Sequence, residues 1–379
     1  MMQPSTLKTS QPRLLSLDVF RGITVAMMTL VNNPGSWGHI YPPLEHAEWN
    51  GCTPTDLVFP FFLFIVGVSI VYAMENKKQD PEQHKKLFWN VIRRGVILFS
   101  LGLILNLFPT FQFSTVRIPG VLQRIAVVYL ITGLLYLYQN KKTIGVIFWL
   151  ILVAYYLIMT FVPVPGLGYA NLNPETNLGA WIDRSILTEA HLWKSSKTWD
   201  PEGILTDFPA VATCIFGVLI GTFLKRKGQE AAQKVAWLFS IGVLATVAGL
   251  IVDIFFPINK ALWTSSYVLY CGGLATLGLT LLYWLVDVQG YRRFTKFFVV
   301  FGVNPITVFF LSGIIPRIMS RITLMLDGKP VDSKTYLYET FFTPYFSPVN
   351  ASLAGGLTYV LIWFVILWLM YRKNIIIKV

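Results

Sequence analysis

Charge is scarce in this chain. Of its 379 residues 13% are Asp, Glu, Lys or Arg, against 54% hydrophobic and 15% aromatic. A soluble domain carries about 25% charged residues, so this balance excludes a fully hydrated globule and places the chain in a membrane. Cysteine is nearly missing too. The three present, Cys52, Cys214 and Cys271, form no CxxC pair. They offer neither a disulfide framework nor a thiolate metal site, and Cys214 and Cys271, inside apolar runs, read as small buried hydrophobes. There are only four histidines. His39 and His46, even with Glu45 beside them, lack helical ligand spacing and a cysteine partner, so no metal is expected. His84 lies in a basic loop and reads as solvated surface, and nothing beside His191 singles it out. Also missing is a basic stripe. The net charge is +12, but Lys and Arg come in short clusters between apolar runs. That distribution is a topology signal and excludes nucleic acid as a partner.

What the chain has in abundance is apolar length. A spanning helix needs about 20 mostly apolar residues, and that ruler gives about ten candidates. They lie near 15–32, 57–75, 87–108, 121–139, 144–162, 207–224, 232–256, 263–287, 296–315 and 351–371. The stretch Met1 to Pro12 lacks the basic, apolar and cleavage pattern of a removable signal, so the first span is expected to stay in the protein. Loops alternate in charge. One set holds Lys8 and Arg13, Lys77, Lys78, Lys85 and Lys86, Lys141 and Lys142, Lys225 to Lys227, Arg292, Arg293 and Lys296, and Arg372, Lys373 and Lys378. The other set of short loops holds little beyond Arg117 and Lys260. Positive charge is retained on the cytoplasmic side, so the pattern predicts an even number of spans with both termini cytoplasmic. The expected fold is all-α, a polytopic membrane protein forming one transmembrane domain over 1–379, with outer loops at about 33–56, 163–206 and 316–350. The last two are long and rich in Pro, Gly, Asn and aromatic residues. Trp181, Trp193 and Trp199 suit either ordered lids or interfacial anchors.

Ionisable groups within spans cost roughly 2.5–3.5 kcal/mol each on insertion, so each is expected to face a cavity or a partner. At the inner end, Asp18 and Arg21 are three apart on one helix face, where they can pair. Arg93 and Arg94 stand at the inner end of the third span, placed either for function or for snorkelling to headgroups. At the outer end Asn32, His46, Asp56, Asn106, Gln123, Arg124, Asp207 and Asp253 converge, which suggests a polar pocket open to that side. Arg124 is suited to balance carboxylates or hold an anionic group. Asp56 and Asp207 also stand where a helix-capping acid would stand. Asn304-Pro305 interrupts the ninth span, as a kink for packing or as the lining of a substrate passage.

The loop Glu45-His46-Ala47-Glu48-Trp49-Asn50-Gly51-Cys52-Thr53-Pro54-Thr55-Asp56 sets an imidazole between two spans. An unperturbed imidazole titrates near about 6.5, which makes it a usable base and acid near neutrality. A transport site would sit nearer mid-membrane, so the loop favours an enzyme over a transporter of an amino sugar or other small solute.

Leu17-Asp18-Val19-Phe20-Arg21-Gly22, Val31-Asn32, His46-Ala47-Glu48-Trp49-Asn50-Gly51 and Asp56-Leu57-Val58-Phe59-Pro60-Phe61 together resemble the transmembrane acyltransferase family that includes heparan-alpha-glucosaminide N-acetyltransferase. The likeness continues in Ile118 to Arg124, Asp200-Pro201-Glu202-Gly203, Pro257-Ile258-Asn259-Lys260-Ala261-Leu262-Trp263 and Gly302-Val303-Asn304-Pro305, and covers nearly the whole chain after Arg13. The resemblance implies acetyl transfer from cytosolic acetyl-CoA to the amine of a glucosamine-type sugar across the membrane, with His46 as the active-site histidine and Asn32 beside it. It implies a multi-pass protein of the inner membrane, a periplasm-like acceptor space and a homodimer. Chemically, His46 can take the amine proton or carry the acetyl group itself, and Glu45 or Glu48 can orient it. Asn32 is placed to donate to the thioester oxyanion. Asp56, Gln123, Arg124, Asp207, Asp253 and Asn304 are the expected acceptor-side residues, and Asp18, Arg21, Arg93 and Arg94 the expected donor-binding ones.

Overall fold

Within lipid a backbone must satisfy its own hydrogen bonds, which makes each apolar run a helix. The structure, a computed structural model, describes residues 14–377. Lys8, Arg13, Lys378 and the stretch Met1 to Pro12 lie outside the described residues. The long helices are α1 (Leu15–Val31), α2 (Val58–Lys78), α3 (His84–Leu107), α4 (Val121–Tyr138) and α5 (Lys141–Phe161). A short α6 (Leu178–Leu187) is followed by α7 (Asp207–Leu224), α8 (Ala231–Asp253) and α9 (Ser265–Leu282), the last continued by a π-helical turn at Tyr283–Val288. Then come α10 (Thr295–Val303), α11 (Pro305–Met319), α12 (Ser333–Phe341) and α13 (Pro348–Arg372).

Among the described residues, eight helical segments are long and apolar enough to cross a membrane, and α10 with α11, bent by 77°, makes a ninth. The 17-residue α1 sits at the short end of the spanning range of about 17–25 residues. Each run read from the sequence as a span therefore has its helix. The bend falls at Asn304, and Pro305 occupies the first position of α11, where a missing N–H costs nothing.

The two long segments have secondary structure of their own. Residues 163–206 contain α6, and 316–350 contain α12 and a hairpin of β1 (Thr323–Leu326) and β2 (Lys329–Asp332), antiparallel with Thr323 opposite Asp332. Its turn is Asp327-Gly328, both at positive φ, the pairing that suits a two-residue hairpin.

Helix α2 lies at the centre and packs tightly on α7 because glycines face each other's backbone. A Cβ on Gly67 would overlap the Cys214 carbonyl oxygen, and one on Gly217 would overlap that of Phe64. Small residues permit such approach in membrane bundles, where lipid supplies no hydrophobic drive between helices. Cys214 and Cys271 are buried in the same apolar core as Phe64 and Phe216, as small hydrophobes. The basic helix ends meet at one end of the bundle: Lys141 lies 3.3 Å from Glu75, Lys225 3.5 Å from Asn76, and Asp287 accepts the N–H groups of Leu15 and Ser16. The His46 loop lies at the other.

Candidate active site

The chain leaves α1 at Asn32 and returns to the bundle through a 3-10 turn, Pro54–Leu57, that starts α2. Asp56 in that turn divides its carboxylate between two tasks. Oδ2 accepts the N–H groups of Thr53 at 3.1 Å and Ala47 at 3.0 Å, closing a capping box and folding the loop over the helix start. Oδ1 lies 2.6 Å from His46 Nδ1. The Asp56 side chain is 1% exposed and that of His46 53%. A buried carboxylate thus holds the proximal nitrogen of a half-open imidazole, and a proton on Nδ1 leaves the Nε2 lone pair for chemistry. Asp56 occupies the place the sequence offered to Glu45 or Glu48, and it also closes the cap that its position in the sequence suggested.

A second loop meets the first. After α8, Asp253 Oδ1 accepts the Ile258 N–H at 2.6 Å, turning the chain. Gly51 then donates to the Ile258 carbonyl at 2.7 Å, and Asn259 Nδ2 donates to Asn50 Oδ1 at 3.1 Å. Gly51 has φ +107°, a conformation that suits glycine. This stitching delivers Lys260, whose Nζ lies 3.2 Å from Asp56 Oδ1 and 2.9 Å from His46 Nδ1. In the sequence Lys260 is marked as one of two cations in the short outer loops and as a member of the block at 257–263.

The other cation, Arg117, anchors the 163–206 segment. It binds Asp200 at 2.8 and 2.6 Å and pairs with Glu202. Burial pushes Asp200 up, whereas Glu202, equally subject to burial, is drawn down by Arg117, Arg124 and Lys260. Burial also pushes Asp183 in α6 up to about 7, with the Asp200 charge adding to it, although its Oδ1 accepts the Ile204 N–H at 2.9 Å. The segment's aromatic residues reach the His46 loop: Trp49 donates to the Leu172 carbonyl, and its ring stands 5.1 Å from that of Trp199.

The remaining expected residues separate into distinct places. Arg124 is buried, with Nε 2.8 Å from Asp207 Oδ1, bonds to Thr206 and the Gly203 carbonyl, and its guanidinium over Trp263. It balances a carboxylate, the first of its two sequence readings. Gln123 is buried between Gly102 and Gly120. Asn106 ties the Arg117 and Pro119 carbonyls. Asn32 ends α1 and is exposed; the polar groups close to the His46 ring are Asp56 and Lys260. Asp253 serves the turn before Lys260. Asn304 clamps the chain end, donating to the Ile375 carbonyl at 3.1 Å and accepting the Ile377 N–H at 2.9 Å.

A cavity of about 560 Å³ runs beside α2. Its lining extends from Phe59 to Met74, which at 1.5 Å per residue is about 22 Å of helix. Arg21 and Arg94 stand at its basic end; Phe59, Val121 and Leu122 line the other end; and the broken pair contributes Gly302, Val303 and Pro305. Arg21 bonds Asp18 at 3.1 Å and Ser69 at 2.8 Å, and Arg94 lies over Tyr129. Arg93 is exposed and is not part of that lining. Asp56 is one helical turn before Phe59, so the cavity leads from two guanidinium groups toward the His46 pair.

A family profile described as heparan-alpha-glucosaminide N-acetyltransferase, catalytic, matches residues 13–248, which include His46, Asp56, Arg117 and Arg124 but not Lys260. The heparan-alpha-glucosaminide N-acetyltransferases of Mus musculus and Homo sapiens are each 32% identical to the chain, over 360 and 363 residues. The matches cover 81% of this chain and 54% of each relative, so the chain spans about half the length of the curated relatives it matches. A polytopic helical protein with this run of motifs in order, matched by the profile over more than half of its residues, belongs to the heparan-alpha-glucosaminide N-acetyltransferase catalytic family.

Proposed function

We propose that the protein is a transmembrane N-acetyltransferase that moves acetyl from acetyl-CoA, entering at the basic end of the bundle, to the amine of a glucosamine-type sugar at the His46 end. The observation that carries this reading is the His46–Asp56 pair at the head of the helix that the cavity follows. Both guanidinium groups at the basic end suit the phosphates of a nucleotide, and the apolar stretch beyond suits an extended pantetheine arm. Charge patterning supports a cytoplasmic basic end and an outward His46 loop, in a cell inner membrane. The described residues, with the loops at 33–56, 163–206 and 316–350, then form one transferase domain.

The chemistry follows from the pair. An amine attacks a thioester only when unprotonated, so Nε2 takes its proton directly, or Nε2 is acetylated first and hands the group on. Asp56 holds Nδ1–H and supports the imidazolium that forms.

The test is incubation of purified protein with radiolabelled acetyl-CoA and glucosamine, beside a folded His46→Ala variant. Label passes to the sugar with wild type, and His46→Ala lowers the rate by about 10²–10⁴-fold, the range of acid–base catalysis. Accumulation of intact sugar in proteoliposomes, undiminished by His46→Ala, would instead establish a transporter.

A further inference from the structure

The Lys260 ammonium is 2.9 Å from His46 Nδ1, 3.4 Å from Nε2 and 3.2 Å from Asp56 Oδ1. Nδ1 has room for one hydrogen, and Asp56 at 2.6 Å takes it. The contact of Lys260 with Nδ1 is then no hydrogen bond; the cation is seated against the imidazole, held there by Oδ1. An ammonium carries three donors. One suffices for Oδ1, which leaves donors beside Nε2, the atom at which the reaction takes place. Nor is this a freely swinging surface lysine. Its side chain is 21% exposed, and Asn259 fixes its turn by accepting the Leu262 N–H at 2.8 Å while donating through its own N–H to Thr264 Oγ1 at 3.1 Å.

We propose that Lys260 is a catalytic residue of the transfer, donating a hydrogen bond to the acetyl carbonyl oxygen as that oxygen becomes an oxyanion. The inference rests on the transferase reading above. As the amine nitrogen bonds to the carbonyl carbon, the C=O π pair moves onto oxygen and Nε2 takes the amine proton. The oxyanion then reforms C=O, the C–S bond breaks, and the departing thiolate takes the proton from Nε2. If Nε2 attacks the thioester carbon first, the C–S bond breaks and the thiolate leaves; the amine then displaces Nε2 from the acetyl carbon, its proton passing to the thiolate, and in each addition the same carbonyl oxygen carries the charge. A donor 3.4 Å from Nε2 is within reach of an oxygen on the carbon being attacked there. Asn32, the sequence's candidate for this task, is exposed at the end of α1.

Lys260→Met, Lys260→Gln and Lys260→Arg in the full chain test the proposal with radiolabelled acetyl-CoA and glucosamine, alongside thermal midpoints and His46→Ala. Lys260→Met is expected to lower kcat about 10²–10³-fold with both KM values within about threefold, the signature of a transition-state donor. Lys260→Arg recovers part of the loss, and Lys260→Gln, which keeps a neutral donor, falls between. If Lys260→Met fails to fold, Lys260→Gln decides: a kcat loss of about tenfold or more at little-changed KM supports the proposal. Wild-type kcat in Lys260→Met or Lys260→Gln, or a loss confined to KM, overturns it. With wild type passing label to the sugar and His46→Ala inactive, that result removes only Lys260; with no label passed to the sugar by wild type, the transferase reading fails as well.

Discussion

At the residue scale the site depends on one carboxylate doing two jobs. Asp56 Oδ2 organises the loop and Oδ1 orients the imidazole, so loop shape and chemistry are coupled through a single buried group. Asp56→Asn preserves the volume but removes the charge that favours Nδ1–H and the imidazolium. Its rate of label transfer is expected to fall by about 10²-fold or more, with acetyl-CoA KM little altered. A wild-type rate from a folded Asp56→Asn protein would show that the pair is only a capping device. The sequence showed the capping role of Asp56 but not its contact with His46, because capping is local in sequence whereas the approach of His46 depends on how the intervening loop closes.

At the element scale the 163–206 segment is held by ions as well as by the burial of Val164, Leu178 and Leu192. Arg117 grips Asp200 and Glu202, Arg124 grips Asp207, and Asp183 lies buried among them. Asp183 is raised in the folded chain to about 7 from 3.8, so folding binds a proton that the open chain releases. The stability this group contributes is therefore fully present below the unfolded value and is lost as pH rises through about 7. Thermal midpoints of the wild type should fall as pH is raised from about 5 to 8, and Asp183→Asn should flatten that slope. An unchanged slope in the variant would assign the pH dependence to other groups. Aromatic richness and length marked the segment in the sequence, but its attachment through Asp183 was not visible, since burial of an acid is a property of packing.

At the scale of the whole molecule, the arrangement joins two ends of a bundle. The cavity beside α2 has Arg21 and Arg94 in its lining and reaches Phe59, one turn of helix beyond Asp56. Arg21 is also engaged with Asp18 and Ser69, so Arg94 offers the cleaner probe. Arg94→Gln is expected to raise the acetyl-CoA KM about tenfold with kcat unchanged, as loss of one charge-assisted phosphate contact would. Steady-state kinetics on purified protein check it, and an unchanged KM would move the donor phosphates elsewhere. The expected donor set thus divides: Arg21 and Arg94 line the cavity, and Asp18 and Arg93 do not.

The sequence by itself determined the spans, the break at Asn304-Pro305, the grouping of basic helix ends and the chemical prominence of His46. These are signals that hydrophobic length, proline geometry and a rare titratable group carry locally. Only the tertiary structure decided which polar residues act together. The eight residues grouped near one boundary resolve into the His46–Asp56 pair, the Arg124–Asp207 pair, and tethers such as Asn106 and Asp253, with Asn32 exposed at the end of α1. Lys260, more than two hundred residues from His46, joined the first of these because Gly51 and Asn50 bond to Ile258 and Asn259. Depth in a membrane can be read from hydropathy, whereas lateral neighbourhood is set by helix packing and loop hydrogen bonds between segments far apart in the chain.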